Sequence, residues 1–476
     1  MIRRLLLAVA MGVAVAVLLE LATVSGRSMI DFTAFYCAGQ TIQDHGDPYR
    51  AQPLGACEAR RGDEGIFRVR HVVMPAPLPP YALAPFAELA RLPYERALAV
   101  WRVLLIAGIL ATIVALRKAA ELPWPVVALA LLTTDVVAGV LPGQPVPLVV
   151  AAIGIGAWAL GRGDDRLAGA AACVTMLEPH LGLPVCLTLF LCRPRARAVI
   201  AGGAVAASVL AVTIMPLSMN LEFLTQVLPK HAATEIPWFG QYSLTHALFV
   251  LGASDHFALT AGLLSYVAMF LFAVIVTPRA ARCLGAPGLL VALPPAAVVL
   301  GGTYIHLPQM AAAVPAALIL AGRAKGTVSG LGKAAVVLLT VPGILFGATG
   351  VAFVAAGIAL LLTVLLFRPL PVVSTAVAAT VLSIGMTLHG LHPVKRTPGQ
   401  WSVAAAARAD ELADDSWGRF VREEDPGLKE HRLELLAALP TWAGLGLLCG
   451  AAALGACAGA RSQQRSETAL PDPCRG

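Results

Sequence analysis

Apolar residues gather in long runs along this chain, and the runs recur near the ~20 residues that carry an α-helix across a bilayer. They fall at about 4–24, 97–116, 123–141, 146–160, 198–217, 257–277, 286–303, 306–322, 334–348, 350–367, 371–389 and 439–459. The pattern predicts an all-α, polytopic bundle of about 12 transmembrane helices. Segment 167–192 breaks it, because Pro179 and Pro184 divide it into two apolar halves, each too short to cross alone.

The polar residues between the runs give the chain its sidedness. With Arg3 and Arg4 inside and 167–192 read as a re-entrant pair of half-helices, nearly every short basic loop falls on the cytoplasmic face. These loops carry Arg117-Lys118, Arg162 and Arg166, Arg193/Arg195/Arg197, Arg279/Arg282, Arg323/Lys325/Lys333, Arg368 and Arg461/Arg465. Read as one span, 167–192 would reverse everything after it, so the excess of Lys and Arg in inner loops favours the re-entrant pair. The outer face then receives loop 25–96, the Gly143-Gln144 turn, the hairpin tip, loop 218–256, the Tyr304-Ile305-His306 turn and a polar stretch at about 390–438. A single extracytoplasmic active site would require such a convergence.

The expected organisation is a membrane domain over 1–390, with its motif-bearing part at 25–325, and an extracytoplasmic helical insert at 391–438. A last span at 439–459 and a disordered tail at 460–476 follow. In the first outer loop a short helix is predicted near 31–43, with Phe32, Phe35, Tyr36 and Ala38 on the bilayer and its acid turned upward. Gly46-Asp47-Pro48-Tyr49 reads as a turn, and the proline-dense 75–86 strip as an irregular interfacial segment. In the insert, Ala404–Leu412 is rich in helix formers, and Trp417, Phe420 and Val421 make one apolar face.

Composition agrees: 58% of residues are hydrophobic and only 13% charged, which excludes a water-soluble domain. The net charge of +7 arises largely in the inner loops, so it reports topology and contact with anionic membrane lipids. No basic run with interleaved aromatics points to nucleic acid. The first run has basic residues before an apolar core, as a signal peptide does, but no small-x-small site closes it and Glu20 interrupts its end. A retained helix is expected. Of nine cysteines, Cys37 and Cys57 alone lie in the large outer loop, and a disulfide or two free thiols are equally open there. With no Cys-x-x-Cys and no His-x-x-x-His, neither a metal nor a cofactor is expected. Asp164-Asp165 lies on the inner side and reads as solvated loop charge.

The most informative stretch is Asp31-Phe32-Thr33-Ala34-Phe35-Tyr36-Cys37-Ala38-Gly39, followed by Gly46-Asp47-Pro48-Tyr49. An acid beside hydrocarbon is costly, which marks Asp31 as a candidate functional group. Its local alternative is a helix N-cap. Further along come Pro77-Leu78-Pro79-Pro80-Tyr81-Ala82-Leu83 with Pro85-Phe86, Leu92-Pro93 and Trp101, then Gly143-Gln144, Arg162–Gly169, and the Glu178-Pro179 break. Phe239-Gly240-Gln241-Tyr242-Ser243-Leu244 and Tyr304-Ile305-His306 complete the order. These six ordered pieces resemble the membrane glycosyltransferases of the GT-C class, specifically glycosyltransferase family 87, over roughly residues 25–325.

The resemblance implies transfer of mannose or a similar sugar from a polyprenyl-phosphate donor to a lipid-linked or cell-envelope acceptor. It places Asp31 as the base that takes the acceptor proton. It also nominates Tyr36, Asp47, Tyr49, Gln144, Glu178, His180, Gln241 and His306 as substrate contacts. Each has an ordinary structural alternative: a turn for Asp47, interface anchoring for Tyr36 and Tyr49, interhelical bonding for Gln144 and Gln241, support of a broken helix for Glu178 and His180, and satisfaction within the bundle for His306. Two positions depart from the family pattern, Glu178 where Lys is usual and Val146 where Asn is. With no Lys at 178, His180, Arg50 or another outer base would take the donor phosphate, or the donor differs. Two rival functions are a transporter or flippase, for which Asp135 would be the residue to neutralise, and a non-catalytic relative acting as a scaffold. Abundant Ala, Gly and Arg point to a bacterial cytoplasmic membrane.

Overall fold

The computed structural model describes residues 29–62, 72–131, 139–238, 240–340, 358–359, 361–367, 408, 411–423 and 428–463. The runs at 4–24 and 371–389, Asp135, Phe239, half of 350–367, and most of 334–348 and of Ala404–Leu412 lie outside the described residues. Every extended regular element among those described is helical, with two isolated bridges besides.

Among the described residues, four helices are long and apolar enough to cross a membrane: Tyr94–Ala120, Pro194–Ile214, Asp255–Cys283 and Leu435–Cys457. They match four of the predicted runs. Val146–Gly161, Pro179–Cys192, Leu289–Gly301, Leu307–Arg323 and Gly326–Thr340 are apolar but shorter. Proline explains one of these: the run expected over 306–322 opens as a tight turn, Leu307–Ala313, before a regular helix begins at Val314. The last helix runs Leu428–Gln463, starting inside the expected insert and ending inside the expected tail. Helix-forming Leu and Ala dominate it, and Pro440, beside the predicted start of the last span, lies inside the helix without ending it.

In chain order the helices are α1 (Ile30–Gln43), α2 (Ala51–Arg61), α3 (Pro80–Leu89), α4 (Tyr94–Ala120), α5 (Trp124–Leu131), α6 (Val146–Gly161), α7 (Asp165–Thr175), α8 (Pro179–Cys192) and α9 (Pro194–Ile214). Then follow α10 (Leu217–Glu222), α11 (Leu228–Thr234), α12 (Leu244–Val250), α13 (Asp255–Cys283), α14 (Leu289–Gly301), α15 (Val314–Arg323), α16 (Gly326–Thr340), α17 (Ala413–Glu423) and α18 (Leu428–Gln463). Helix α14 is buried almost throughout, which explains its apolar sequence. Helices α9 and α13 instead expose Val205, Val209 and Val212, and Leu263, Leu264, Leu271 and Ile275. Apolar belts of that extent need lipid around them.

The predicted lipid face of 31–43 is corrected. Phe32, Phe35, Tyr36 and Ala38 are buried in protein, with the Phe32 ring 6.0 Å from those of Tyr94 and Trp101 and 6.4 Å from that of Phe86. Gly39 allows this approach, because a Cβ there would stand 2.3 Å from the Phe86 carbonyl oxygen. The proline strip is only half irregular: 72–79 is extended, and α3 then starts on Pro80, whose fixed φ suits a first helical turn. Cys37 and Cys57 are joined as a disulfide that ties α1 to α2.

Helices α7 and α8 form an antiparallel hairpin. Cys186 Sγ donates to the Ala172 carbonyl at 3.3 Å, and a Cβ on Gly182 would meet the Thr175 backbone at 2.6 Å. In a straight continuation, residues 172 and 186 would stand about 20 Å apart. Basic loops gather at the far end of the hairpin. Arg193 lies 3.8 Å from Asp165, Arg162, Arg166 and Arg195 line one cavity, and Arg323 bonds Glu121 and, at 3.4 Å, the Gly285 carbonyl.

Candidate functional site

Asp31 sits one residue inside α1. Met29, with extended backbone, occupies the N-cap, so the carboxyl is not spent on capping. The Pro142 carbonyl accepts from the backbone N–H of both Asp31 and Phe32, at 2.9 and 3.3 Å. Gly143 then turns with φ +86°, where a Cβ would strike Phe32 at 2.7 Å, and Trp101 Nε1 donates to its carbonyl at 2.9 Å. This turn delivers Gln144, whose Nε2 donates to Asp31 Oδ2 at 2.5 Å. Burial pushes the Asp31 carboxyl up to about 7; the Gln144 bond pulls it down and the charge of Glu235 pushes it up.

The hairpin tip lies beside it. Glu178, in the break between α7 and α8, is raised to about 8 by burial, lowered in part by a bond from Gln309 and raised by the Asp31 charge. At neutral pH it therefore keeps its proton. His180 Nδ1 lies 3.7 Å from the Glu178 carboxyl. The irregular backbone is held from two sides, since Tyr81 donates to the Met176 carbonyl at 3.0 Å and Tyr266 to the His180 carbonyl at 2.9 Å.

The Tyr304 ring stands 6.2 Å from those of both His180 and His306. His306 caps the turn that follows: its ring accepts from the Gln309 N–H, and its own N–H donates to Gln309 Oε1 at 2.9 Å. A ring nitrogen that accepts carries no proton, which leaves the proton of the neutral ring on Nε2. Burial, with help from His231, His180 and His246, drives His306 down to about 3, so the ring is neutral. Its Nε2 lies 3.5 Å from Glu235 Oε2.

Helix α17 closes the cluster. Trp417 Nε1 donates to Glu235 Oε1 at 2.5 Å, and His231 Nδ1 pairs with Asp414 Oδ1 at 2.8 Å. Burial raises Glu235, with His231 and Trp417 opposing. Burial presses His231 down, but Asp414 outweighs it and the net shift is upward. The His231 ring meets Tyr304 edge-on at 5.3 Å. The helix docks through Ala413 N–H to the Tyr49 carbonyl at 2.8 Å, and through Trp417, Phe420 and Val421 packed with Val72 and Trp238.

Of the nominated residues, Asp31, Gln144, Glu178, His180 and His306 come together. The others hold the frame. Asp47 accepts from Tyr49 N–H at 2.9 Å and from Arg50 Nε at 3.0 Å. Tyr36 donates to the Leu92 carbonyl and Tyr49 to that of Leu78, each at 2.9 Å. Gln241 donates to the Glu235 carbonyl and accepts from Ser243 at 3.0 Å. Sequence reasoning passed over Glu235, His231 and Asp414, and placed Trp417 only on the apolar face of the insert. Glu235 carried one usable signal, an acid just ahead of the Gln241 motif in a non-basic outer loop.

The model of glycosyltransferase family 87 matches residues 78–300. Over those residues, just under half of its length, the chain is similar to family 87. The resemblance drawn from motifs is thereby borne out, and family 87 supports a membrane glycosyltransferase. The match takes in the proline strip from Leu78 on, Gln144, the hairpin and Glu235, while Asp31, His306 and α17 lie outside its bounds. No curated protein and no solved structure matches the chain.

Proposed function

We propose that this protein is an integral membrane GT-C glycosyltransferase of the bacterial cytoplasmic membrane, working on the extracytoplasmic face. It moves mannose or a similar sugar from a polyprenyl-phosphate donor to a lipid-linked or cell-envelope acceptor. The carrying observation is Asp31: a buried carboxyl, raised to about 7, fixed by Gln144 in a cluster with Glu178 and His306. Such a group is poised to accept a proton near neutrality. As the acceptor oxygen forms its bond to the anomeric carbon, its proton passes to Asp31. The bond from that carbon to the phosphate oxygen breaks, and the polyprenyl phosphate leaves with the electron pair. Resemblance to the GT-C class implies inversion.

Glu178, protonated at neutral pH, does not repel the donor phosphate and can donate to it. His180, on the first turn of α8, is the proposed phosphate contact, since Arg50 is engaged with Asp47 and Glu222. Two observations support the sidedness. The Cys37–Cys57 disulfide suits an oxidising compartment, and the Arg loops gather at the end of the hairpin away from Glu178. The topology proposed is that of about 12 spans, with α7 and α8 as the re-entrant pair.

The test incubates purified protein and its Asp31→Asn variant with labelled polyprenyl-phosphate sugars and membrane lipid extract. Label should move to a new product with the unmodified protein alone. Full transfer by a well-folded variant would remove Asp31 as the base. Donor binding without turnover in both would instead favour the non-catalytic relative.

A further inference from the structure

The cluster contains an unfilled donor–acceptor pair. Glu235 is only 3% exposed, and while Oε1 accepts from Trp417, Oε2 is fully buried and accepts no hydrogen bond. It faces His306 Nε2 across 3.5 Å, longer than a hydrogen bond between them would be. A buried carboxylate oxygen left open is costly and calls for a partner. The capping bond leaves His306 with a proton on Nε2, so a donor and an acceptor stand side by side.

One hydroxyl fits such a pair, donating to the carboxylate and accepting from the ring. A phosphate oxygen does not, because it brings a negative charge to a carboxylate and has no proton to give. The Tyr304 ring, 6.2 Å from that of His306, adds a flat wall of the kind a sugar packs on. Asp31 feels the charge of Glu235, which places the pair near the proposed base.

We propose that Glu235 and His306 bind one hydroxyl of a sugar substrate, and that Trp417 is a positioning residue fixing the Glu235 carboxylate. The inference rests on the glycosyltransferase reading. It makes α17, far outside the family match, a wall of the sugar site. His231 and Asp414 then act as the clasp that seats α17 on α11.

The experiment compares unmodified protein, Glu235→Ala and Trp417→Phe in one transfer assay, using donors and acceptors that each lack a single sugar hydroxyl. With the unmodified protein, one deoxy analogue should lose about 10–100-fold in kcat/KM. In Glu235→Ala the parent sugar should fall to the level of that same analogue, and removing the hydroxyl should then cost nothing further. Trp417→Phe should raise KM for the same substrate with kcat nearly kept, and should shrink the deoxy penalty. Whether a donor or an acceptor analogue is the sensitive one names the source of the hydroxyl. Deoxy penalties of equal size in all three proteins would overturn the assignment while leaving the glycosyltransferase reading intact. If Glu235→Ala does not fold, an unchanged deoxy penalty in Trp417→Phe overturns it as well. Absence of transfer by the unmodified protein would overturn both readings.

Discussion

Asp31 shows how one residue can change its chemistry with its surroundings. A carboxyl in water ionises near pH 4, but burial lifts this one to about 7. Only the ionised form can accept a proton, so transfer should fall as the pH drops through about 7, three units above the limb of a solvated carboxylate. A pH–rate profile checks this. Asp31→Asn should cost about 10²–10⁴-fold in kcat with the fold retained on size-exclusion chromatography. Gln144→Leu removes the bond that lowers the pKa, so its acidic limb should move to higher pH. Glu178 titrates in the opposite sense for donor binding. Above about pH 8 it becomes an anion beside the proposed phosphate, and donor KM should climb; in Glu178→Gln that climb should vanish.

At the scale of elements, close backbone approaches set the site. The α7–α8 hairpin closes on Gly182, where any Cβ would strike the Thr175 backbone. Gly182→Ala should therefore cost about 1–3 kcal/mol and lower Tm, because backbone on both sides cannot yield as a side chain would. Such a variant also shifts Glu178 and His180, so activity should fall more than stability accounts for. The α1–α2 link is covalent. Cys57→Ser opens a loop of 20 residues and should remove about 3 kcal/mol, read as a drop in Tm that reductant reproduces in the unmodified protein.

At the scale of the whole molecule, α9 and α13 carry exposed apolar belts while α14 is buried, and the acids Asp31, Glu178 and Glu235 lie in one cluster away from the basic loops. The proposed topology puts Leu251, 72% exposed between α12 and α13, outside, and Arg166 on α7 inside. In a background lacking the exposed Cys283 and Cys457, an impermeant maleimide on intact cells should label Leu251→Cys but not Arg166→Cys. The reverse pattern would invert the chain.

Hydropathy and motif order were enough to read an α-helical membrane protein, the four long helices among its described residues, the break at Glu178-Pro179 and the likeness to family 87, because crossing length, proline breaks and motif order are written along the chain. The first outer helix was also readable, though not its burial: Phe32 and Phe35 would suit lipid or protein equally, and only the approach of Phe86 and Trp101 decided between them. Tertiary structure alone separated Asp31, Gln144, Glu178, His180 and His306 from Tyr36, Asp47, Tyr49 and Gln241, which spend their polar atoms on the frame. It also brought Trp417 to Glu235, 182 positions away. No local pattern encodes that meeting, since which buried acid keeps an open oxygen depends on every neighbour that folding brings to it.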